Sequence, residues 1–385
     1  MEENQHRQRG TGLRVAVVHS FYSSRQSSGE NRVVEQQVEA LRRAGISVQL
    51  IDQRTDARER SKLYAVEAAF TVATGHGRSP LAALHEFRPN IVHVHNLFPN
   101  FSRSWVTHWD GPIVATMHNY RPMCPAATFY RDGHACTDCL DKRNATSAVR
   151  YGCYRGNRAQ TVPLALSTRF GADPLLARAD RVIVLNDTMK TLYGRAGVAQ
   201  DRMTLLPNFL PDSGAAGTGG GPWLFVGRLT PEKGILQLVR EWPSGYRLLV
   251  VGDGPLLADI AACAPAGVEV LGEQPSERVQ ALMREAVGLV FPSRWFEGAP
   301  MVYVEALAAG TPVLAWEPSS LAALVSQEET GVVAHGDLGP VLAAAEAKFP
   351  FMRPHCRSVF ENEYTEAKWV TAVANLYARA LGETG

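Results

Sequence analysis

The sequence predicts an α/β protein built from two doubly wound, Rossmann-like domains facing each other across a cleft. Three observations carry this reading. Short, nearly continuous apolar runs such as LRVAVVH (residues 13–19) have the character of parallel strands buried on both faces. They alternate with amphipathic helical stretches, the βαβ rhythm of a parallel sheet. A Pro/Gly/Ser/Ala-rich run at residues 211–222 then interrupts the rhythm, which restarts on its far side.

Bulk properties narrow the classes. A chain of 385 residues accommodates two ordinary domains. With 39 basic and 38 acidic residues, net charge +1, no basic footprint argues for nucleic acid. Hydrophobic residues make up 45%, ordinary for a globular chain, so extensive disorder is not expected. The N-terminus, MEENQHRQRGTG, is polar and lacks the apolar core of a signal peptide. No apolar run reaches the roughly 18–20 residues that span a bilayer. A cytoplasmic protein is expected, with peripheral membrane contact left open.

In the first half, the strand at 13–19 leads into the polar loop SFYSSRQSSGENR and then an amphipathic helix that Gly45 ends. SVQLID follows as the next strand, and NIVHVHN (90–96), PIVATMH (112–118) and RVIVL (181–185) read as further strands. No GxGxxG is present, so the dinucleotide fingerprint is absent. Ligands of such sheets sit beyond the carboxyl ends of the strands. The loop residues there are Ser28-Gly29-Glu30, His95-Asn96 and His118-Asn119. Gly29, opening a helix, would let a ligand approach the backbone. His118, at a strand end facing the cleft, suits a hydrogen bond to substrate. His93 and His95 share one face of their strand and read as packing residues, while His19 stays open.

Four of the six cysteines, Cys124, Cys136, Cys139 and Cys153, fall in one stretch that interrupts the αβ pattern. C-x2-C with two nearby thiols in a reducing compartment reads as a tetrahedral zinc site ahead of disulfides. The alternative is four ordinary reduced thiols. A loop of this length needs something to hold it, and a structural metal would suffice.

Past the glycine-rich run, strands read in WLFVGRL, YRLLVVGDG, VEVLG, GLVFPS and PVLAW, with helices near 235–242, 256–264, 277–286, 301–309 and 321–327. Between the first of these strands and its helix lies GRLTPEKG, where Arg228 and Lys233 suit a diphosphate, one as a bidentate fork and the other as a mobile point charge. In FPSRWFEGAPMVYVEALAAGTPVLA, a strand end runs through a Glu297-Gly298 loop into a helix opened by Pro300 and Met301 and closed by Gly310. Its N-terminus offers free N–H groups and a positive dipole end, a ready phosphate site. Glu297 and Glu305 flank it. The tail, 363–381, has the apolar spacing of an amphipathic helix.

The E-x7-E spacing in EGAPMVYVEALAAGTPV and the GR-L-x-x-E-K-G run resemble the donor site of retaining glycosyltransferases of family 4, which adopt the GT-B fold. SGENRVVEQQVEALRRAG and TMHNYRPMCP resemble the first-domain loops of the same family, a subset of which carries a Cys-containing insertion after the His-Asn pair. The resemblance implies a retaining, metal-independent transferase taking a nucleoside-diphosphate sugar. Residues 1–206 would form the acceptor-side domain with the insertion at 121–158, 207–362 the donor domain, and 363–385 a helix crossing back. By the same resemblance Glu297 lies by the transferred sugar, Glu305 holds the ribose, and Arg228 and Lys233 bind the diphosphate. His118 contacts sugar, diphosphate or acceptor hydroxyl, Arg294 base or phosphate, and the base sits near residues 274–277. The rivals are a nucleotide-sugar epimerase or sugar phosphorylase on the same architecture, and a non-catalytic nucleotide-sugar binder. The motifs separate neither UDP- from GDP- or dTDP-sugars, nor a lipid-linked glycan acceptor from a natural-product aglycone.

Overall fold

The computed structural model describes residues 12–24, 28–170, 172–212, 214, 216–317 and 319–382. The first sheet consists of β1 (Arg14–Phe21), β2 (Ser47–Arg54), β3 (Ile91–Asn96) and β4 (Ile113–Thr116). Within the Cys-containing stretch β5 (Tyr130–Arg131) and β6 (His134–Ala135) form a separate antiparallel hairpin. The first sheet is completed by β7 (Arg181–Val184) and β8 (Met203–Leu205), in the order β2-β1-β3-β4-β7-β8, parallel throughout. β1 is buried at every position but its first, as its unbroken apolar run requires of a strand covered on both faces. The helix Gly29–Arg43 starts where the Ser28 side chain accepts from the Asn31 amide, and it buries Val34, Val38 and Leu41 in the core of the first domain.

The second sheet holds β9 (Trp223–Val226), β10 (Leu248–Val251), β11 (Val268–Gly272), β12 (Leu289–Phe291), β13 (Val313–Trp316) and β14 (Gly331–Ala334). Its order is β11-β10-β9-β12-β13-β14, again all parallel, and helices cover both faces with separate apolar clusters. The edge strands β8 and β14, of 3 and 4 residues, are absent from the sequence reading.

Two departures matter. The glycine-rich run after Pro211 is strapped to the second domain: the Gly217 amide donates to Ala309 O at 2.8 Å and the Gly221 amide to Glu285 O at 2.9 Å. A Cβ on Gly217 would lie 2.0 Å from Arg284 O, so the glycine permits the close approach. The tail helix is Glu366–Ala380, as expected, but a 26-residue helix absent from the sequence reading, Leu338–Glu363, precedes it, and the two part at Tyr364. The tail helix crosses back onto the first domain, burying Trp369, Val373, Leu376 and Tyr377 in its core. At roughly 1.5–3 kcal/mol per buried large side chain, these anchors outweigh the exposed Arg43–Glu366 pair beside them.

Candidate active site

In open α/β sheets the ligand crevice opens where strand order reverses, between β1 and β3 in the first sheet and between β9 and β12 in the second. The two donor-type motifs follow β9 and β12, so the fold brings them side by side. In the first domain, the loop that ends in Gly29 follows β1, and Asn96 closes β3.

Glu297 is 4% exposed and is the most heavily bonded carboxylate of the site. Its Oε1 accepts from Lys233 Nζ at 2.6 Å, Trp295 Nε1 at 2.6 Å and Ser293 Oγ at 2.8 Å. Its backbone carbonyl accepts from Asn186 Nδ2 at 2.8 Å and Ser320 Oγ at 2.7 Å. Asn186 belongs to the first domain, so one amide side chain ties the Glu297 loop across the cleft. Lys233 is thus paired with an acid of its own site in this state, while Arg228 stays half in solvent, 3.5 Å from Glu232 Oε1. Two close approaches fix the loop that carries both cations. A Cβ on Gly234, whose φ is +70°, would lie 2.1 Å from Pro292 O, and one on Gly252 would lie 1.9 Å from Gly227 O.

Pro300 caps the helix Met301–Ala308, and Met301 is its first residue. Glu305 projects from this helix without a hydrogen-bonded partner among the described residues; burial raises its pKa, partly offset by the Arg32 guanidinium of the first domain. His118 follows β4 in the first domain. Its Nε2 is 2.9 Å from His95 Nδ1, and the two rings stack with centroids 5.2 Å apart. Burial, with His19 and His93 nearby, pushes His118 down to about 3, so the ring is neutral at ordinary pH. His95 in turn lies against His93, with centroids 4.3 Å apart, and His93 Nδ1 is 2.7 Å from the Tyr377 hydroxyl of the crossing-back helix. His19 is fully buried beside Asn31 and lowered to about 4 by burial. The His118 carbonyl presses on the Glu297 loop: a Cβ on Gly298 would lie 2.7 Å from it. Gly29 opens its helix with free space where a Cβ would be.

Two family models divide this chain between them. Residues 27–213 match "Glycosyltransferase Family 4", and residues 222–347 match "Glycosyl transferases group 1". Both halves of the chain thus belong to glycosyltransferase domain families, and together they form the GT-B fold. Solved structures agree on the fold. Sucrose-phosphate synthase from Thermosynechococcus elongatus superposes with a TM-score of 0.66 at 19% identity, covering 97% of this chain and all (100%) of its own. Anabaena HepE in complex with UDP and glucose does so with 0.58 at 12% identity, covering 95% and 100%. Among curated relatives, a D-inositol 3-phosphate glycosyltransferase of Nocardia farcinica is 30% identical over 45% of this chain and 46% of its own length. The chain spans less than half the length of that relative, and 17% of an exopolysaccharide phosphotransferase of Streptomyces coelicolor.

The four candidate zinc ligands fall in one small region of the first domain. Cys124, Cys136, Cys139 and Cys153 are free thiols near enough to influence one another. Among the described residues, however, no group of three or more His, Cys, Asp or Glu is arranged to hold a metal ion. Burial raises the Cys124 thiol and pushes Cys139 up to about 12 and Cys153 to about 11. The segment is held by other means. Cys139 packs with Ala145, Ala148 and Cys153, Arg131 pairs with Asp138 at 3.0 Å, and the Tyr130 hydroxyl donates to Pro231 O across the cleft at 3.2 Å.

The candidate site also contains residues that sequence reasoning passed over. Asn186, Ser293, Trp295 and Ser320 clamp Glu297, His95 pairs with His118 rather than only packing, and Arg32 faces Glu305. Only Ser293 and Trp295 carried a local signal, being neighbours of the Glu297 loop.

Proposed function

We infer that the enzyme transfers a sugar, with retention of anomeric configuration and without a catalytic metal, from a nucleoside-diphosphate sugar to a hydroxyl acceptor. The observation that carries the reading is the Lys233–Glu297 pair at the second-domain switch point, with Arg228 beside it and the Met301–Ala308 helix behind. Arg228, Lys233 and the helix N-terminus at Pro300 and Met301 bind the diphosphate and stabilise the charge that grows on it as the glycosidic bond breaks. The diphosphate competes with Glu297 for the Lys233 ammonium, and Glu297 keeps Ser293 and Trp295 while it orients the sugar. Glu305 receives the ribose hydroxyls. His118, neutral and aligned by His95, offers its imidazole to the sugar or acceptor from the first domain. Buried Glu297 is bonded to three donors and so is ill placed as a free nucleophile, which favours a front-face reaction. Closure of the two domains excludes water.

The test is thermal stabilisation and slow donor hydrolysis across UDP-, GDP- and dTDP-sugars, without acceptor and with EDTA present. UDP-sugars head the panel because HepE carries UDP and glucose on the same fold. One nucleotide is expected to stabilise the protein selectively, an effect lost in Arg228→Ala and Lys233→Ala. Stabilisation by none of them would overturn the donor site.

A further inference from the structure

The first sheet has its own switch point, between β1 and β3, and the side chains collected there lie outside the donor set proposed above. Tyr22 follows β1, Glu30 lies in the first turn of the helix after it, Asn96 ends β3, and Asn119 and Arg121 follow His118. Asn119 Nδ2 donates to Glu30 Oε2 at 3.2 Å, and Asn119 Oδ1 accepts from the Arg121 amide at 3.0 Å. Asn96 also approaches the carboxyl, but no hydrogen bond of normal geometry reaches Glu30 Oε1, which is buried and unpartnered among the described residues. Arg121 Nε is buried and unpartnered too. The rest of that guanidinium is fixed: it lies 3.9 Å over the Phe98 ring, faces Tyr154 at 5.9 Å, and donates to Pro125 O at 3.1 Å.

One cluster therefore holds an orphaned acceptor and an orphaned donor, each costly to leave unsatisfied. Their charges oppose, so the pair suits a neutral group that both donates and accepts. A hydroxyl does this; a phosphate would meet the Glu30 carboxylate, and an ammonium the Arg121 guanidinium. Phe98 and Tyr154 add aromatic surface for the C–H face of a polyol. The cluster adjoins the reaction centre, because Asn119 is the chain neighbour of His118, whose carbonyl abuts Gly298.

We propose that Glu30 and Arg121 are the acceptor-recognition pair of the first domain, holding a hydroxyl of a neutral polyol acceptor, a sugar or cyclitol, by a bond donated to Glu30 Oε1 and one accepted from Arg121 Nε. The inference rests on the transfer reaction proposed above. Its role is binding and orientation of the acceptor; donor binding does not involve it.

Glycerol is the probe. In saturation-transfer NMR without nucleotide, glycerol receives magnetisation from the wild-type protein, and the signal is lost in Glu30→Gln and in Arg121→Met. With a hydrolysable nucleotide sugar, glycerol captures the sugar in excess of its molar ratio to water, and the excess falls about tenfold in either variant, the loss of one charge-assisted hydrogen bond. Nucleotide-induced stabilisation stays at the wild-type level in both and reports an intact fold. Glycerol contact that is absent from the wild type, or unchanged in Glu30→Gln, overturns the pair. Failure of every nucleotide to stabilise the wild type sinks the donor reading instead, and the NMR result still decides the pair.

Discussion

Lys233 Nζ lies 2.6 Å from Glu297 Oε1, and both side chains are withdrawn from solvent, at 14% and 5% exposure. Removing one member of such a pair strands the other charge, which costs about 3–5 kcal/mol, whereas removing both is often close to neutral. Lys233→Met is expected to lower the urea unfolding free energy by about 3 kcal/mol, and Lys233→Met/Glu297→Met to regain most of it. Neither variant should transfer sugar. A double variant as unstable as the single would locate the loss outside the pair.

The meeting of the His118 carbonyl with Gly298 leaves no room for a side chain. Gly298→Ala must displace backbone on one side of the cleft, at a cost of about 1–3 kcal/mol. Nucleotide binding, proposed for the second domain, should persist. Turnover depends on the two loops meeting, and kcat should fall roughly tenfold or more. Calorimetric titration with the stabilising nucleotide, beside steady-state rates, separates the two effects; equal losses in both would refute the division.

What the sequence made legible was local. Apolar runs gave the strands, and the close approaches at Gly234 and Gly252 are the physical reason the GR-L-x-x-E-K-G and GDG turns carry glycine. What it hid was pairing at a distance. Asn186 reaches the carbonyls of Glu297 and Gly298 from another domain, and the charge of Arg32 is felt at Glu305 only because the domains face each other. Neither leaves a spacing to read. The cysteines raise a related difficulty: C-x2-C records proximity along the chain, while a ligand set also needs convergent geometry, and among the described residues no group of three or more such side chains is so arranged. Gly217 misleads, since flexible composition there serves close packing on Arg284.

The buried histidines make stability acid-sensitive. His93 is fully buried and held down to about 3 by that burial, between Tyr377 and Thr116. Its folded pKa lies below its unfolded value of 6.5, so its contribution is complete above that pH and is lost as pH falls toward 3. By pH 5 the loss from this one ring is about 2 kcal/mol. His93→Gln should flatten the slope of unfolding free energy between pH 6.5 and 5, measured by urea titration at each pH. An unchanged slope would assign the acid sensitivity to other groups.

Glu30 has the opposite sign. Burial raises it from 4.5 to about 7, against the pull of Asn119, Arg121 and Asn96. A carboxyl that ionises more readily in the unfolded chain destabilises the fold progressively as pH rises from 4.5 toward 7, and by a constant amount above that. The penalty is on the order of 3 kcal/mol when complete. Glu30→Gln removes it, so the variant should be more stable than wild type at pH 8 and indistinguishable at pH 4. That gain at neutral to basic pH, alongside loss of acceptor capture, is the pattern of a group kept for binding at the expense of the fold. A variant less stable than wild type at pH 8 would mean that the Asn119 bond matters more than the desolvation it offsets.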